Sequence, residues 1–311
     1  MLVMRKPQME AFEHVAAQRF AEGLLDHFRT FFPQHAAVLG NAQLQRALRY
    51  GLQRAESRGL GTERAVYLYI ALMFMLGSGF DEDPQLPWAA REVEAEKAAP
   101  STPEGTAGAG VAETEPAKTA DSAASAKEDA PLQETADARI ERLYGHAMLF
   151  LDKAVGPSNE FLRQTLVVFS QPQVFEGLPA APSFGHRLLL LLQMLTPEKY
   201  RALGEGPLRN LVRYGYENAK RYGITTEPGI MNYVALAFML GSGFDRDPLY
   251  PWAAAALSDP GQIDPTQRGA LLREAALAHL VKCFPGCLRR SEQSAALLAR
   301  PSASYRRIVE E

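Results

Sequence analysis

Hydrophobic residues recur every three or four positions through most of the chain, which is the pattern of amphipathic helices. Between residues 9 and 31 this spacing predicts a first helix that ends before Pro33. Its apolar positions are Met9, Phe12, Ala16, Phe20, Leu24, Phe28 and Phe31. No segment keeps the alternating pattern of a β strand, so we expect an all-α fold.

The next segments carry helix start and stop signals. A second helix is predicted from about Asn41 to Ser57, and Gly59 is expected to end it in the left-handed conformation. Thr62 suits the N-cap of a third helix, ERAVYLYIALMFML, which is apolar on most faces and should be central to the core. The same signals recur at Gly223 and Thr226.

These signals recur because part of the sequence is repeated. A shift of 164 residues aligns 44–90 with 208–254 without a gap, and 25 of the 47 aligned residues are identical. The strongest part, here called the repeated motif, reads LGSGFDEDPQLPWAA from Leu76 and LGSGFDRDPLYPWAA from Leu240. A match of this length predicts two tandem helical modules that arose by internal duplication.

The segment between the two copies has a different composition. Residues 93–136 contain no aromatic residue, are rich in Ala, Glu, Thr, Ser, Pro and Gly, and hold nine acidic residues and three lysines. Too little apolar surface is available to offset chain entropy, so we expect a disordered acidic linker. The predicted domains are module 1 at 1–92, the linker at 93–136, module 2 at 137–288 with an extra N-terminal and a C-terminal helix, and a tail at 289–311.

Charge and composition exclude several classes of protein. The formal net charge is −3, and the chain outside the linker carries about +3, so nothing favours nucleic acid or an anionic membrane surface. The longest apolar run, LLLLLQML from Leu188, is too short to span a bilayer, and no signal peptide pattern is present. We therefore expect a soluble cytoplasmic protein in which Cys283 and Cys287 are free thiols.

The repeated motif has a complete structural interpretation. Gly77 and Gly79 can take positive backbone angles where the chain leaves the third helix, and Phe80 can fold onto the core. Asp81 and Asp83 can accept backbone N–H groups in solvent-facing Asx turns. The structural residues are Gly77, Gly79, Phe80, Asp81, Asp83 and Pro84 in the first copy and Gly241, Gly243, Phe244, Asp245, Asp247 and Pro248 in the second.

The paired aspartates could instead bind a cation or act as catalytic carboxylates. A calcium site needs about six or more oxygen ligands, and Pro84 stands where the next side-chain ligand would be, so we expect no metal and no cofactor. Ion pairs from the aspartates to Arg49 and Arg213 are a stronger candidate. The six histidines lack zinc-site spacing, and GSGF is not a nucleophile elbow. We therefore expect a protein that is not an enzyme.

Aromatic residues shared by the two copies offer a second functional hypothesis. Exposed aromatics provide much of the binding energy at protein interfaces. Core packing is the alternative, because each recurs on an apolar helical face. The candidates for partner binding are Tyr50, Tyr69, Trp88, Tyr214, Tyr233 and Trp252.

The repeated motif resembles helical modules of uncharacterised bacterial proteins found in type VI secretion neighbourhoods, which read roughly YGI…E…Y…LMFxLGxxFDxDPxxPWA. The matching residues run from Tyr222 to Ala253, with Gly59 to Ala89 in the first copy, where Arg58 and Leu60 replace the tyrosine and isoleucine. The resemblance implies a non-enzymatic adaptor or chaperone-like protein that binds effectors or spike proteins. The alternatives are an enzyme or toxin module that uses the aspartates, and a cytoplasmic immunity protein.

Overall fold

A computed structural model of the chain describes residues 6–94, 135–258 and 264–284. Throughout these ranges every regular element is helical, so the prediction of an all-α fold is confirmed. The predicted linker at 93–136, except for its ends, and the tail at 289–311 lie outside the described residues.

The first sequence copy lies within the first five helices. They are α1 (Lys6–Phe31), α2 (Pro33–Ser57), α3 (Glu63–Leu76), α4 (Pro87–Glu94) and α5 (Ala136–Val155), with a short 3-10 turn at Phe80–Glu82. Gly40, at φ 71°, breaks α2 internally, so its second segment begins where the second helix is predicted. On α1, Leu24 and Phe28 are buried as expected, but Phe31 is 63% exposed.

The second copy is built from a similar series. Its helices are α6 (Glu160–Ser170), α7 (Pro172–Glu176), α8 (Phe184–Leu195), α9 (Pro197–Leu203), α10 (Glu205–Arg221), α11 (Glu227–Leu240), α12 (Pro251–Leu257) and α13 (Pro265–Cys283), after a 3-10 turn at Pro157–Asn159. Thr62 and Thr226 cap α3 and α11 through their hydroxyl groups, at 3.2 and 3.3 Å from the amides of Ala65 and Gly229. Both caps agree with the sequence prediction.

Helix α5 corresponds to the extra N-terminal helix predicted for module 2, but it packs in the first half. It contacts α3 and α4, and its buried Ile140, Leu143 and Ala147 belong to the hydrophobic core around α3. Helix α13 makes the equivalent contacts with α11 and α12. The described helices of the first half therefore run from α1 to α5, and those of the second half that correspond to them run from α8 to α13.

Two contacts join the halves through these last helices. Helix α5 also packs against α9 of the second half, and α13 packs against α2 of the first. Residues 95–134 thus connect α4 to α5 within the first half. The equivalent connection in the second half, between α12 and α13, is the short segment 258–264. The two helices that residues 95–134 join, α4 and α5, pack against each other.

Candidate functional site

The two copies of the repeated motif meet face to face, and we call this contact, residues 76–85 with 240–249, the junction. A Cβ on Gly77 would lie 2.7 Å from the Leu240 carbonyl oxygen, and one on Gly241 would lie 3.0 Å from the Leu76 oxygen. Both glycines have positive φ, at 100° and 103°. Glycine is required here twice over, for its backbone angle and for the close approach.

Asp83 and Asp247 exchange hydrogen bonds across the junction. The Ser242 amide donates to Asp83 Oδ2 at 2.8 Å, and the Ser78 amide donates to Asp247 Oδ2 at 2.7 Å. Each carboxylate of one copy therefore caps the backbone of the other copy just after its third helix ends. A single motif provides both halves of the contact.

The second oxygen of each carboxylate forms a local turn. The Gln85 amide donates to Asp83 Oδ1 at 2.9 Å, and the Leu249 amide donates to Asp247 Oδ1 at 2.8 Å. These are the expected Asx turns, and they occur at Asp83 and Asp247 but not at Asp81 and Asp245. The turn glycine prediction is wrong in part, because Gly79 and Gly243 are not among the positive-φ residues.

All four motif aspartates are buried, with 1 to 5% of their surface exposed. The expectation of solvent-facing turns is therefore wrong, because each copy is covered by the rest of the fold and by its counterpart. Burial raises the pKa of Asp247 to about 6, although backbone donors oppose the shift. Burial also raises the pKa of Asp83.

Asp81 lies in a charged cluster at the end of α2. It accepts from Arg54 at 2.7 Å, from Arg58 at 2.9 Å and from the Tyr69 hydroxyl at 2.9 Å. The predicted pairing with Arg49 is wrong, because Arg49 is exposed. Arg54 and Arg58, which lie one helical turn apart nearer the C-terminus of α2, face the 3-10 turn instead. Glu82 also pairs with both of them.

Asp245, the equivalent residue, lies among phenols. It accepts from the Tyr222 hydroxyl at 2.7 Å, and Tyr222 stands where the first copy has Arg58. Asn218 replaces Arg54, and the nearest cationic atom is Arg246 Nε at 3.8 Å. Arg213 instead donates to Asn210, so its predicted ion pair is also wrong.

This second cluster leaves polar atoms without partners. Asp245 Oδ1 and the Tyr233 hydroxyl are buried and have no hydrogen-bond partner among the described residues. Burial, together with the hydrogen bond to Asp245, raises the pKa of Tyr222 to about 12. Burial and the charge of Asp245 also raise the pKa of Tyr233.

Lys199 of α9 lies beside the junction at a small cavity of about 80 Å³ that Asp83 also lines. Its ammonium group donates to the Phe238 carbonyl at 2.5 Å, in the last turn of α11. A cation at this helix terminus interacts favourably with the helix dipole. Burial lowers the pKa of Lys199 to about 8, while the charge of Asp83 opposes the shift. No motif or spacing in the sequence distinguishes Lys199 from other lysines.

The six aromatic candidates do not form one surface. Tyr69 and Tyr233 are fully buried and pack on Phe80 and Phe244, so they belong to the core. The others are half-buried: Tyr50, Trp88, Tyr214 and Trp252.

A larger cleft lies in the second half, away from the junction. It has a volume of about 290 Å³ and lies among α7, α8, α11 and α13. Its walls include Pro172, Phe175, Arg187, Met231, Asn232 and Arg273. Helices α6 and α7 lie between α5 and α8, in a stretch outside the aligned repeat. On α11, Met231 and Asn232 stand where the first copy has Tyr67 and Leu68. The cleft therefore forms where the halves differ.

Neither a metal-binding cluster nor a membrane-spanning helix is found in the described residues. Within them, no three or more His, Cys, Asp or Glu side chains are grouped so as to hold a metal ion. None of the helices placed there combines the length and apolar character needed to cross a bilayer. Cys283 is a buried free thiol whose pKa burial raises to about 11, and Cys287 lies outside the described residues.

No protein-family model, curated protein or solved structure matches this chain significantly. The resemblance to type VI secretion modules therefore stays a prediction.

Proposed function

We propose that this protein is a non-enzymatic adaptor or chaperone-like protein that binds a protein partner in the cleft of its second half. The observation that carries the proposal is the location of this cleft. It lies where the sequence copies differ, at helices outside the aligned repeat, whereas the shared motif lies inside the junction.

The bonding of the shared motif supports a structural role for it. Asp83 and Asp247 use both carboxylate oxygens on backbone amides of the chain itself. Asp81 is neutralised by two arginines. A carboxylate in such surroundings has little freedom to bind a substrate or to transfer a proton.

The identity of the partner follows from the resemblance. An effector or spike protein of a type VI secretion system, met in the cytoplasm, is the proposed partner. We further propose that the halves arose by internal duplication and that the acidic linker is disordered. Because α5 and α13 each contact the opposite half, we expect one body with one binding cleft, rather than two tethered modules with two partners.

The test is a binding assay with the full-length chain and purified candidate effectors and spike proteins encoded beside its gene. Glu176→Trp places a large side chain at the exposed edge of the cleft. We expect the indole to block entry to the cleft and to weaken partner binding at least about 10-fold, the size of effect that loss of an interface hot spot gives. Glu217→Trp, the same change at an exposed position of α10 outside the cleft, is the matched control and should bind as wild type.

Three results would overturn the proposal. Failure of the full-length chain to bind any of these proteins removes the adaptor function. Equal binding by both tryptophan variants places the partner elsewhere. A captured protein that proves to be a toxin neutralised by the complex would make the chain an immunity protein.

One observation favours the enzyme alternative. Asp245 is a buried carboxylate with one unpaired oxygen beside two phenols of raised pKa, an arrangement that also occurs at catalytic sites. A folded Asp245→Asn variant that keeps its melting temperature and loses a measurable turnover would support this alternative over the adaptor.

A further inference from the structure

Arg273 is a half-buried cation in the wall of the cleft. Its guanidinium lies over the rings of Phe169 and Phe175, at 5.5 and 5.1 Å from their centres, and donates through Nη2 to the Phe169 carbonyl at 2.8 Å. These contacts hold the planar group in one orientation. Within the described ranges no acidic side chain forms an ion pair with it.

The hydrogen-bonding capacity of Arg273 is not filled. Its Nε is buried and has no acceptor among the described residues. Burial lowers the pKa of Arg273, because the cation is removed from water and no nearby anion compensates for the lost hydration. A buried donor without an acceptor costs about 1–3 kcal/mol, and a charged one more.

Arg187 repeats the feature on the neighbouring wall. It pairs through Nη1 with Glu227 at 2.8 Å, while its Nε is buried and has no acceptor within the described ranges. Two guanidinium groups, each with one unfilled Nε donor, thus line one cleft, whose other walls include Pro172, Phe175 and Met231. A ligand that matches these walls presents anionic oxygens on an apolar stem.

The acids at the cleft restrict the charge of that ligand. Glu227 and Glu176 line it together with the two arginines. Both glutamates repel any anion, but they repel a doubly charged phosphate about twice as strongly as a singly charged carboxylate, which can still accept from a guanidinium fork.

We propose that the cleft binds the carboxylate of a glutamate side chain in a segment of the partner protein, and that Arg273 is its main receptor. This inference rests on the proposed function and names the chemistry of that same cleft. The methylene groups of the glutamate lie against the apolar walls, and its oxygens accept from Arg273, with Arg187 as the second donor.

The test observes Arg273 directly in ¹H–¹⁵N spectra of the full-length chain, where the arginine Nε–Hε groups give separate signals. Arg273→Lys assigns the signal, because this variant keeps the charge and lacks Nε. The probes are the peptide Ac-Leu-Glu-Leu-NH₂, its glutamine counterpart, and butyrate as a free carboxylate, each titrated into the millimolar range. We expect the Arg273 signal to move with the glutamate peptide and not with the glutamine peptide.

Variants give the size of the effect. Arg273→Gln should weaken binding of the glutamate peptide about 10-fold or more, as expected for a hydrogen bond to a charged group. Arg209→Gln removes an exposed arginine of α10 and should leave binding unchanged. Melting temperatures of the variants separate loss of binding from loss of fold.

Each remaining outcome overturns the inference. No shift of the Arg273 signal, or equal shifts with both peptides, excludes carboxylate recognition. Butyrate binding as tightly as the glutamate peptide makes the ligand a small molecule rather than a protein segment. If the peptides fail while Glu176→Trp still blocks the partner, the proposed function stands without this chemistry; if the partner also fails to bind, both fall.

Discussion

Asp81 and Asp245 occupy the same place in the two halves, but different groups surround their carboxylates. Asp81 accepts from two arginines and a tyrosine, whereas Asp245 accepts from Tyr222 and keeps one oxygen without a partner. Identical motif residues therefore have different energetics, because the cations come from α2 and their counterparts on α10 have been replaced. The backbone of the motif is similar in both halves even so.

The junction depends on two glycines, and breaking it gives the largest expected effect. Gly77→Ala would force a Cβ to 2.7 Å from the Leu240 oxygen at a positive φ, so we expect a loss of about 4 kcal/mol or more in the free energy of unfolding. Urea denaturation measures this loss. Gly79→Ala, where no atom lies within 4 Å of a new Cβ, is the control and should lose less than about 1 kcal/mol. Similar losses would show that the contact is not tight.

The two polar clusters can be compared by the same substitution in each. Asp81→Asn leaves Arg54 and Arg58 without their buried anion and should cost about 3 kcal/mol, as breaking a buried ion pair does. Asp245→Asn removes a carboxylate with a single phenol donor and should cost about 1 kcal/mol. Thermal and urea unfolding of both variants gives the difference. A cost for Asp245→Asn that equals the cost for Asp81→Asn would contradict the comparison.

The raised pKa of Asp247 predicts a pH dependence of stability. Its folded pKa of about 6 exceeds the unfolded value, so the folded state binds the proton more tightly, and this contribution is lost as pH rises through 6. Relative to Asp247→Asn, the wild type should lose about 2 kcal/mol between pH 4 and pH 7. Urea unfolding at pH values across this range measures the difference. A constant difference would show that the carboxylate is solvated.

The N-caps of α3 and α11 should behave alike in both halves. Thr62→Ala and Thr226→Ala each remove one hydroxyl acceptor from a backbone amide, so each should cost about 1 kcal/mol. Thermal unfolding of the two variants measures the costs, with Thr62→Ser and Thr226→Ser as controls that keep the hydroxyl. A difference above about 1 kcal/mol would mean that the halves differ in local structure as well.

Local features of the fold could be predicted because they depend on neighbouring residues. The N-cap threonines and the left-handed Gly59 and Gly223 follow from backbone chemistry within a few positions. The burial of Phe80 follows from its position after an apolar helix. Such signals need no knowledge of what lies across the core.

Contacts between distant segments could not be predicted in the same way. The exchange between Asp83 and Ser242 joins residues 159 apart, and nothing in either copy indicates that the other copy is its partner. Arg54 and Arg58 carry one sequence signal, because both differ from their equivalents in the second copy although the aspartate that they contact is shared. Arg273 lies outside the aligned repeat, so its lack of an anion is visible only in three dimensions.

The order of helices along the chain has a consequence for synthesis on the ribosome. When residue 94 has left the exit tunnel, α3 still lacks α5, and Asp83 still lacks the Ser242 amide. Helix α2 lacks its contact with α13 until still later in synthesis, because α13 ends at Cys283. A growing chain therefore exposes apolar surface of its first half until nearly all of the described residues have been translated, and nascent chains stalled before that point are the species that chaperones and proteases would meet.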